Sequence, residues 1–427
     1  MNPPQHSAPG FFSRPVLAGL LGNVLEWYDF MVYGYFVPTL KDLFFPSSDP
    51  LAALIAAYGV LAVSFVMRPV GALLFGHVGD RFGRKRALEL SVILMAIPSL
   101  LFGFLPTYEN IGIAAPIGLL LLRLAQGLSV GGEYTASFSF VIEHAPAHRR
   151  GLHGALTTCG AIIGILLASL AAFVTSRISE DRETQTWAWR VPFLLGVFVA
   201  GVALWVRRSL AETATFERLR REGAIAKQPV REAITHEGRG ILRLFLLYAL
   251  GSAFFYVLYL FVQAALVEAG MLAHRAQLAT SCALLVLIFA LPAAGYASDI
   301  FGRRPVMLTG VAATLLLVVP LYRMLFSLDF VQVTLAQIAL TLITAMVIGP
   351  VPSTMAEMFP PRTRFSALSI GYNGSLAVFG GTAPMVASVL TRQTGSQLSP
   401  AYYLMILAVV SGTAVYLGRE THRDELR

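Results

Sequence analysis

The chain has 427 residues, of which 56% are hydrophobic and only 13% charged, and its mean hydropathy is +0.68. Soluble domains carry about 25% charged residues, and apolar runs of the ~20 residues that a bilayer-crossing helix needs recur along this whole chain. One core buried in water is therefore excluded, and so is a nucleic-acid reading of the net charge of +8, because the basic residues follow membrane topology.

Twelve spans are expected, at 17–37, 51–75, 88–106, 112–141, 152–175, 189–206, 242–267, 276–297, 305–322, 331–355, 365–390 and 400–418. With the amino terminus in the cytoplasm, and with Arg190 and Arg243 at span ends counted with their adjoining loops, 23 of the 32 Lys and Arg fall on inner segments, seven on outer ones and two, Arg68 and Arg123, deeper within spans. This inside excess predicts cytoplasmic termini.

The first span carries Asn23, Glu26, Asp29 and Tyr33 at spacings of 3, 3 and 4, on one helix face. A charge facing lipid costs ~3 kcal/mol even on the lenient insertion scale, so such a face is expected to line a cavity. The alternative is that Glu26 or Asp29 hydrogen-bonds a neighbouring helix. In the second span Arg68 precedes Pro69. It either snorkels to the interface, binds a carbonyl freed by the local kink, or holds ligand.

The loop after that span reads Gly76-His77-Val78-Gly79-Asp80-Arg81-Phe82-Gly83-Arg84-Lys85, and it returns 219 positions later as Gly295-Tyr296-Ala297-Ser298-Asp299-Ile300-Phe301-Gly302-Arg303-Arg304. Gly83 and Gly302 are expected to allow a tight turn. Asp80 and Asp299 are expected to bridge to arginines and hold an inner gate shut, with exposed bridges worth ~0–1 kcal/mol each. A second frame, Glu-x-x-Pro-x-x-x-Arg, occurs as Glu143 to Arg150 and again, 214 positions on, as Glu357 to Arg364. Two motifs with nearly equal offsets indicate a duplication into parallel six-span halves, an arrangement that puts the transport site between them near the midplane.

The fourth span carries Arg123, Gln126 and Glu133 on a polar face. An acid beside Arg123 makes a workable proton switch, because an anionic substrate would compete for the arginine and free the acid. Residues 1–207 and 241–427 form the two halves. The linker 208–240 opens on a capping box, Ser209-Leu210-Ala211-Glu212, followed by Phe216 and Leu219 among arginines. It reads as an amphipathic helix on the inner membrane surface, or as a partly ordered linker.

The second half offers hydroxyls, amides and aromatic faces: Tyr256, Tyr259 and Gln263 on the seventh span, Thr341 and Thr344 on the tenth, Tyr372 and Asn373 on the eleventh. Ordinary packing or an interfacial belt is the alternative for each tyrosine. Cys159 and Cys282 read as packing thiols. No phosphate-binding Gly-x-x-x-x-Gly-Lys loop and no paired His spacing occur, so neither an ATP-driven pump nor a metal site is expected.

The doubled Gly-x-x-x-Asp-x-x-Gly-Arg-(Lys/Arg) loop resembles the signature of the major facilitator superfamily, as does Arg123-Leu124-Ala125-Gln126-Gly127. Gly22-Asn23-Val24-Leu25-Glu26-Trp27-Tyr28-Asp29-Phe30, Met67-Arg68-Pro69, Gly131-Gly132-Glu133-Tyr134 and Trp189-Arg190-Val191-Pro192-Phe193 resemble its metabolite:proton symporter branch. The resemblance implies an all-α integral membrane protein of twelve helices in two pseudosymmetric bundles, in a bacterial-type inner membrane. It also implies alternating-access import of a small carboxylate or zwitterion, such as proline, betaine or an organic acid, with a proton as the coupling ion. No cofactor, metal or nucleic acid is expected, nor enzyme activity, and the chain is expected to be monomeric.

The coupling set is then Glu26, Asp29, Glu133 and Arg123. The substrate set is Asn23, Tyr33, Arg123, Gln126, Tyr256, Tyr259, Gln263, Tyr372 and Asn373. The gate comprises Gly76, Asp80, Arg81, Gly83, Arg84, Lys85, Glu143 and Arg150 with Gly295, Asp299, Gly302, Arg303, Arg304, Glu357 and Arg364. A drug/proton antiporter shares the loop signature, but such proteins commonly carry Gly-Pro in the fifth span, and the span here runs Gly154 to Gly164 without proline. A transport-dead sensor would be expected to lose the midplane charges.

Overall fold

The computed structural model describes residues 14–46, 50–178, 187–424 and 426, and every regular element among them is helical. The first half comprises α1 (Arg14–Phe44), α2 (Pro50–Phe82), α3 (Arg84–Phe104), α4 (Ala114–His144), α5 (Arg150–Ile178) and α6 (Arg190–Arg208). A short helix, α7 (Ala214–Arg221), follows. The second half comprises α8 (Pro229–Glu268), α9 (Ala273–Phe301), α10 (Arg303–Leu325), α11 (Phe330–Met358), α12 (Arg364–Thr394) and α13 (Ser399–Tyr416). Ten of these helices are long and apolar enough to cross a membrane by length and composition. With α1 and α2 they make twelve spans. Side chains such as Phe198, Trp205, Phe289 and Leu316 face outward, the placement that lipid rewards and water penalises.

The two halves pack alike. In the first, α1 packs on α5, α2 and α3 on α4, and α3 on α6; in the second, α8 packs on α12, α9 and α10 on α11, and α10 on α13. Across the interface α2 meets α12 and α5 meets α9, so each half offers its second span to the fifth span of the other.

A single residue separates α2 from α3 and α9 from α10. Those residues are Gly83 and Gly302, with φ of 113° and 102°, a region costly for any side chain. Both turns lie at the basic end of the molecule, with the carboxyl-terminal segment.

Two local expectations shift. The amphipathic helix begins after Thr213, whose hydroxyl accepts from the Phe216 N–H at 3.2 Å, whereas Ser209 donates back to the Val206 carbonyl. Phe216 and Leu219 are buried against the bundle, with the Arg84 guanidinium 5.5 Å from the Phe216 ring, so this helix docks on protein. The seventh span starts earlier than 242, because a polar stretch from Pro229 continues it as helix beyond the apolar run. Hydropathy cannot register such an extension. Two π-helical turns, Val257–Phe261 in α8 and Leu376–Gly380 in α12, interrupt the second half. Such turns widen a helix locally and recur at functional sites.

Candidate functional site

Asp80, at the end of α2, accepts the backbone N–H groups of Phe365 and Ser366 at 3.2 and 2.8 Å, capping α12 of the other half. Asp299, at the end of α9, accepts those of Gly151 and Leu152 at 2.8 and 2.9 Å, capping α5. Each carboxylate thus meets the positive end of a helix dipole across the interface.

Around each cap lies an ion-pair cluster. Arg84 contacts Asp80 at 3.0 Å and Glu143 at 3.5 Å, and Glu143 takes Arg364 from the other half at 2.8 Å. Arg303 contacts Asp299 at 2.7 Å and Glu357 at 3.0 Å, with Arg150 from the first half at 3.8 Å from Glu357. These side chains are buried, not exposed as the sequence suggests. Removing one partner of a buried pair costs ~3–5 kcal/mol, several times the figure for a surface bridge.

Glycines let the backbones meet here. A Cβ on Gly295 would sit 2.4 Å from the Gly151 carbonyl oxygen, and one on Gly151 would sit 2.3 Å from that of Gly295. Gly76 and Gly79 lie likewise against Ser366 and Phe365. The outer members of the motif are peripheral. Arg81 donates to the Lys227 carbonyl at 3.0 Å, Lys85 to the Leu210 carbonyl at 2.6 Å, and Arg304 to the Tyr416 carbonyl at 2.6 Å.

A third repeat, not singled out in the sequence, completes the seal: Glu212-Thr213 after α6 and Glu420-Thr421 after α13. Glu212 accepts the Lys85 N–H at 3.2 Å, and Glu420 accepts those of Arg303 and Arg304, both at 2.9 Å. Thr421 donates to Glu357 at 2.6 Å. Burial pushes the Glu212 carboxyl above its ordinary value despite these donors. A search for identical dipeptides two helices beyond the Glu-x-x-Pro-x-x-x-Arg motifs would have found this repeat.

At mid-depth the expected single polar crevice divides into three groups. In the first, Gln126 donates to Ser99 at 2.9 Å, Ser99 donates to Asp29, and Arg123 lies 3.9 Å above the Tyr33 ring. The Tyr33 hydroxyl donates to the Ala57 carbonyl at 2.9 Å, while Arg123 Nε and Nη2 have no hydrogen-bond partner among the described residues. This group is enclosed within the first half.

In the second group Glu133 is bonded by Arg207, with Nη1 at 3.0 Å from Oε2, and by the Ser91 hydroxyl. Arg207 also donates to the Ala18 carbonyl at 3.3 Å. Glu133 is therefore not a partner of Arg123, because the last turn of α6 delivers a different arginine to it.

The third group holds Glu26, whose strongest charged neighbour is Arg68 and whose Oε2 has no hydrogen-bond partner among the described residues. Arg68 points inward, its guanidinium 5.7 Å from the Trp27 ring and 5.2 Å from that of Phe30, and it acts on the Tyr256 and Tyr248 hydroxyls. Asn23 donates to the Thr157 carbonyl at 2.8 Å and binds the first half to itself.

The polar face of α1 is thus real, but Trp27 is what α1 presents to the space between the halves. There, Trp27, Tyr134 and Phe138 face Tyr248, Phe255, Tyr256 and Tyr372. Tyr372 stacks on Tyr248 at 4.6 Å and reaches Tyr134 at 5.4 Å. The enclosed space is about 30 Å³, room for water but not for a solute.

Farther from the basic end a cavity of about 610 Å³ opens between α1, α5, α8 and α9, lined by Tyr35, Ser169, Tyr259, Gln263, Gln277 and Thr280. Phe255 borders both spaces. Tyr259 bonds Thr341 at 2.8 Å, and the Thr344 hydroxyl donates to the Leu340 carbonyl of its own helix. Asn373 donates to the Gly131 carbonyl at 3.0 Å, part of the closure between α4 and α12. Among the described residues no group of His, Cys, Asp and Glu could hold a metal.

Residues 16–236 match a family model described as sugar (and other) transporter, and residues 244–426 that of the major facilitator superfamily. The glycine betaine/proline/ectoine/pipecolic acid transporter OusA of Dickeya dadantii is 34% identical, over 98% of this chain and 85% of its own. The proline/betaine transporter of Escherichia coli shows the same three figures, and the ectoine/proline transporter ProP of Corynebacterium glutamicum is 32% identical over 97% and 85%. Among solved structures, the proton:xylose symporter XylE bound to 6-bromo-6-deoxy-D-glucose aligns with a TM-score of 0.80 at 19% identity, covering 97% of each chain.

Proposed function

Because the chain belongs to the major facilitator superfamily, in its metabolite:proton symporter branch, we propose that it imports a small zwitterion of the betaine, proline or ectoine class together with a proton. The observation that carries this reading is the aromatic space between the halves, with the Arg68 guanidinium 5.7 Å from the ring of Trp27, one of its lining residues. Rings attract a desolvated cation by their negative faces, by ~2 kcal/mol or more where water is excluded, and a quaternary or secondary ammonium suits such a box. The carboxylate of the same solute would turn to Arg68, the cation nearest the rings.

That assignment moves the substrate role from Arg123 to Arg68 and pairs it with Glu26. Solute binding draws Arg68 away from Glu26, which then takes the proton. Asp29, with Ser99, Gln126 and Arg123, forms a second proton-bearing set inside the first half. The Lys and Arg surplus supports a cytoplasmic basic end, so the state described is closed inward. The site is complete within one chain, in keeping with a working monomer.

The test is uptake of labelled glycine betaine and proline by proteoliposomes under an imposed inward proton gradient. Accumulation should collapse with a protonophore, Trp27→Ala should raise the half-saturating betaine concentration by about tenfold, and Glu26→Gln should abolish accumulation against a gradient. Uptake indifferent to the proton gradient would falsify the symport reading.

A further inference from the structure

At the basic end of the second half, the ends of α8, α10, α11 and α13 ring a separate cavity of about 410 Å³. Its floor is apolar, formed by Leu247, Met307 and Val415, and its rim carries Arg243, Arg304 and Arg419. Of the other charged residues that line it, Arg303 is paired with Glu357 at 3.0 Å, Asp424 lies 3.8 Å from Arg419, and Glu237 is half-buried.

Arg243 and Arg304 have no carboxylate at ion-pair distance among the described residues. Each bonds one end-carbonyl of α13: Arg243 Nε donates to Ala414 at 3.1 Å and Arg304 Nη2 to Tyr416 at 2.6 Å. Arg304 Nε is buried without a hydrogen-bond partner among the described residues. The two positive charges act on one another, a repulsion that a shared anion would remove. Gly418 permits the arrangement, because a Cβ there would lie 1.9 Å from Arg243 Nη2.

We propose that this cavity binds a phosphate group, clamped by Arg243 and Arg304. Two guanidinium forks offer more donors than one carboxylate can accept, and a tetrahedral phosphate supplies three oxygens to them. The cavity lies where a lipid headgroup and a free ion in water are both at hand. Occupancy would tie α8 to α10 and α13 beside Glu357, and so hold the basic end closed.

The full-length protein in uncharged detergent is titrated with inorganic phosphate against chloride at constant ionic strength. It is also reconstituted in phosphatidylcholine vesicles with and without phosphatidylglycerol, and thermal unfolding is followed in each case. Phosphate, phosphatidylglycerol or both should raise the wild-type midpoint by a few degrees. Arg243→Gln and Arg304→Gln should each raise the half-saturating concentration by roughly tenfold, with Arg304→Lys recovering part of it. A shift with phosphate alone assigns a free ion, and one with phosphatidylglycerol alone a headgroup. No shift in the wild type with either probe overturns the proposal, whatever the variants do. A shift that survives in the double Arg243→Gln/Arg304→Gln protein overturns it too.

Discussion

Glu133 and Arg207 bond entirely within the first half, so their pairing has no need to change when the halves rock. Glu133→Gln leaves a buried guanidinium without its counter-charge, a loss of ~3–5 kcal/mol. We expect a lower unfolding midpoint in detergent, partly restored by the double variant Glu133→Gln/Arg207→Gln. A single variant that unfolds like the wild type would remove this structural role and return Glu133 to the coupling set. Glu26→Gln, by contrast, should impair coupling with little effect on the midpoint. The sequence made the acids visible but not their partners. Arg207 counts as one more basic residue at a span end, and only contact with Ala18 and Leu88 shows it turned inward. Arg68 is likewise ambiguous from its depth alone. Tyr134 and Phe138, four apart in α4, form an aromatic stripe that the charges beside it overshadowed.

Among the elements, the crossing of α5 with α9 depends on the absence of two side chains. Gly295→Val puts carbon inside contact distance of the Gly151 backbone, where no side-chain adjustment relieves it. The basic ends of α5 and α9 should then part, lengthening the distance between spin labels on their exposed turns. An unchanged distance distribution would mean that this crossing does not limit closure. The segment after α13 provides a pH test. Burial pushes the Glu420 carboxyl up, but N–H groups of Arg304, Arg303, His422 and Thr421 outweigh it and hold the carboxyl below its ordinary range. A carboxyl depressed on folding stabilises the docked segment above the ordinary carboxylate pKa, and that contribution is lost as pH falls through the lower folded value. A spin label on Arg423→Cys should therefore be immobile at neutral pH and mobile in acid, and Glu420→Gln should free it at neutral pH. Equal immobility across the range would contradict this. Both repeated loops were readable as a duplicated pair because charge and glycine recur at fixed offsets. Which helix each aspartate caps was not readable, since that depends on how the halves face one another.

At the scale of the molecule, twelve apolar runs and two offset motifs were enough to specify the spans and their doubling. The ends of helices were less legible where a polar helix leaves the bilayer, as in α8. The cavity-facing side of α1 was misjudged because a polar face can be satisfied inside a bundle. Reciprocal capping has a further meaning. Asp80 binds the start of α12 while Asp299 binds the start of α5, so corresponding surfaces recognise each other in both directions. That is an isologous contact, the kind that joins two copies of one subunit about a two-fold axis. The covalent connection through α7 is then dispensable for recognition. Two polypeptides cut near Gly223 and co-expressed should find one another, co-purify through a tag on either fragment, and restore uptake.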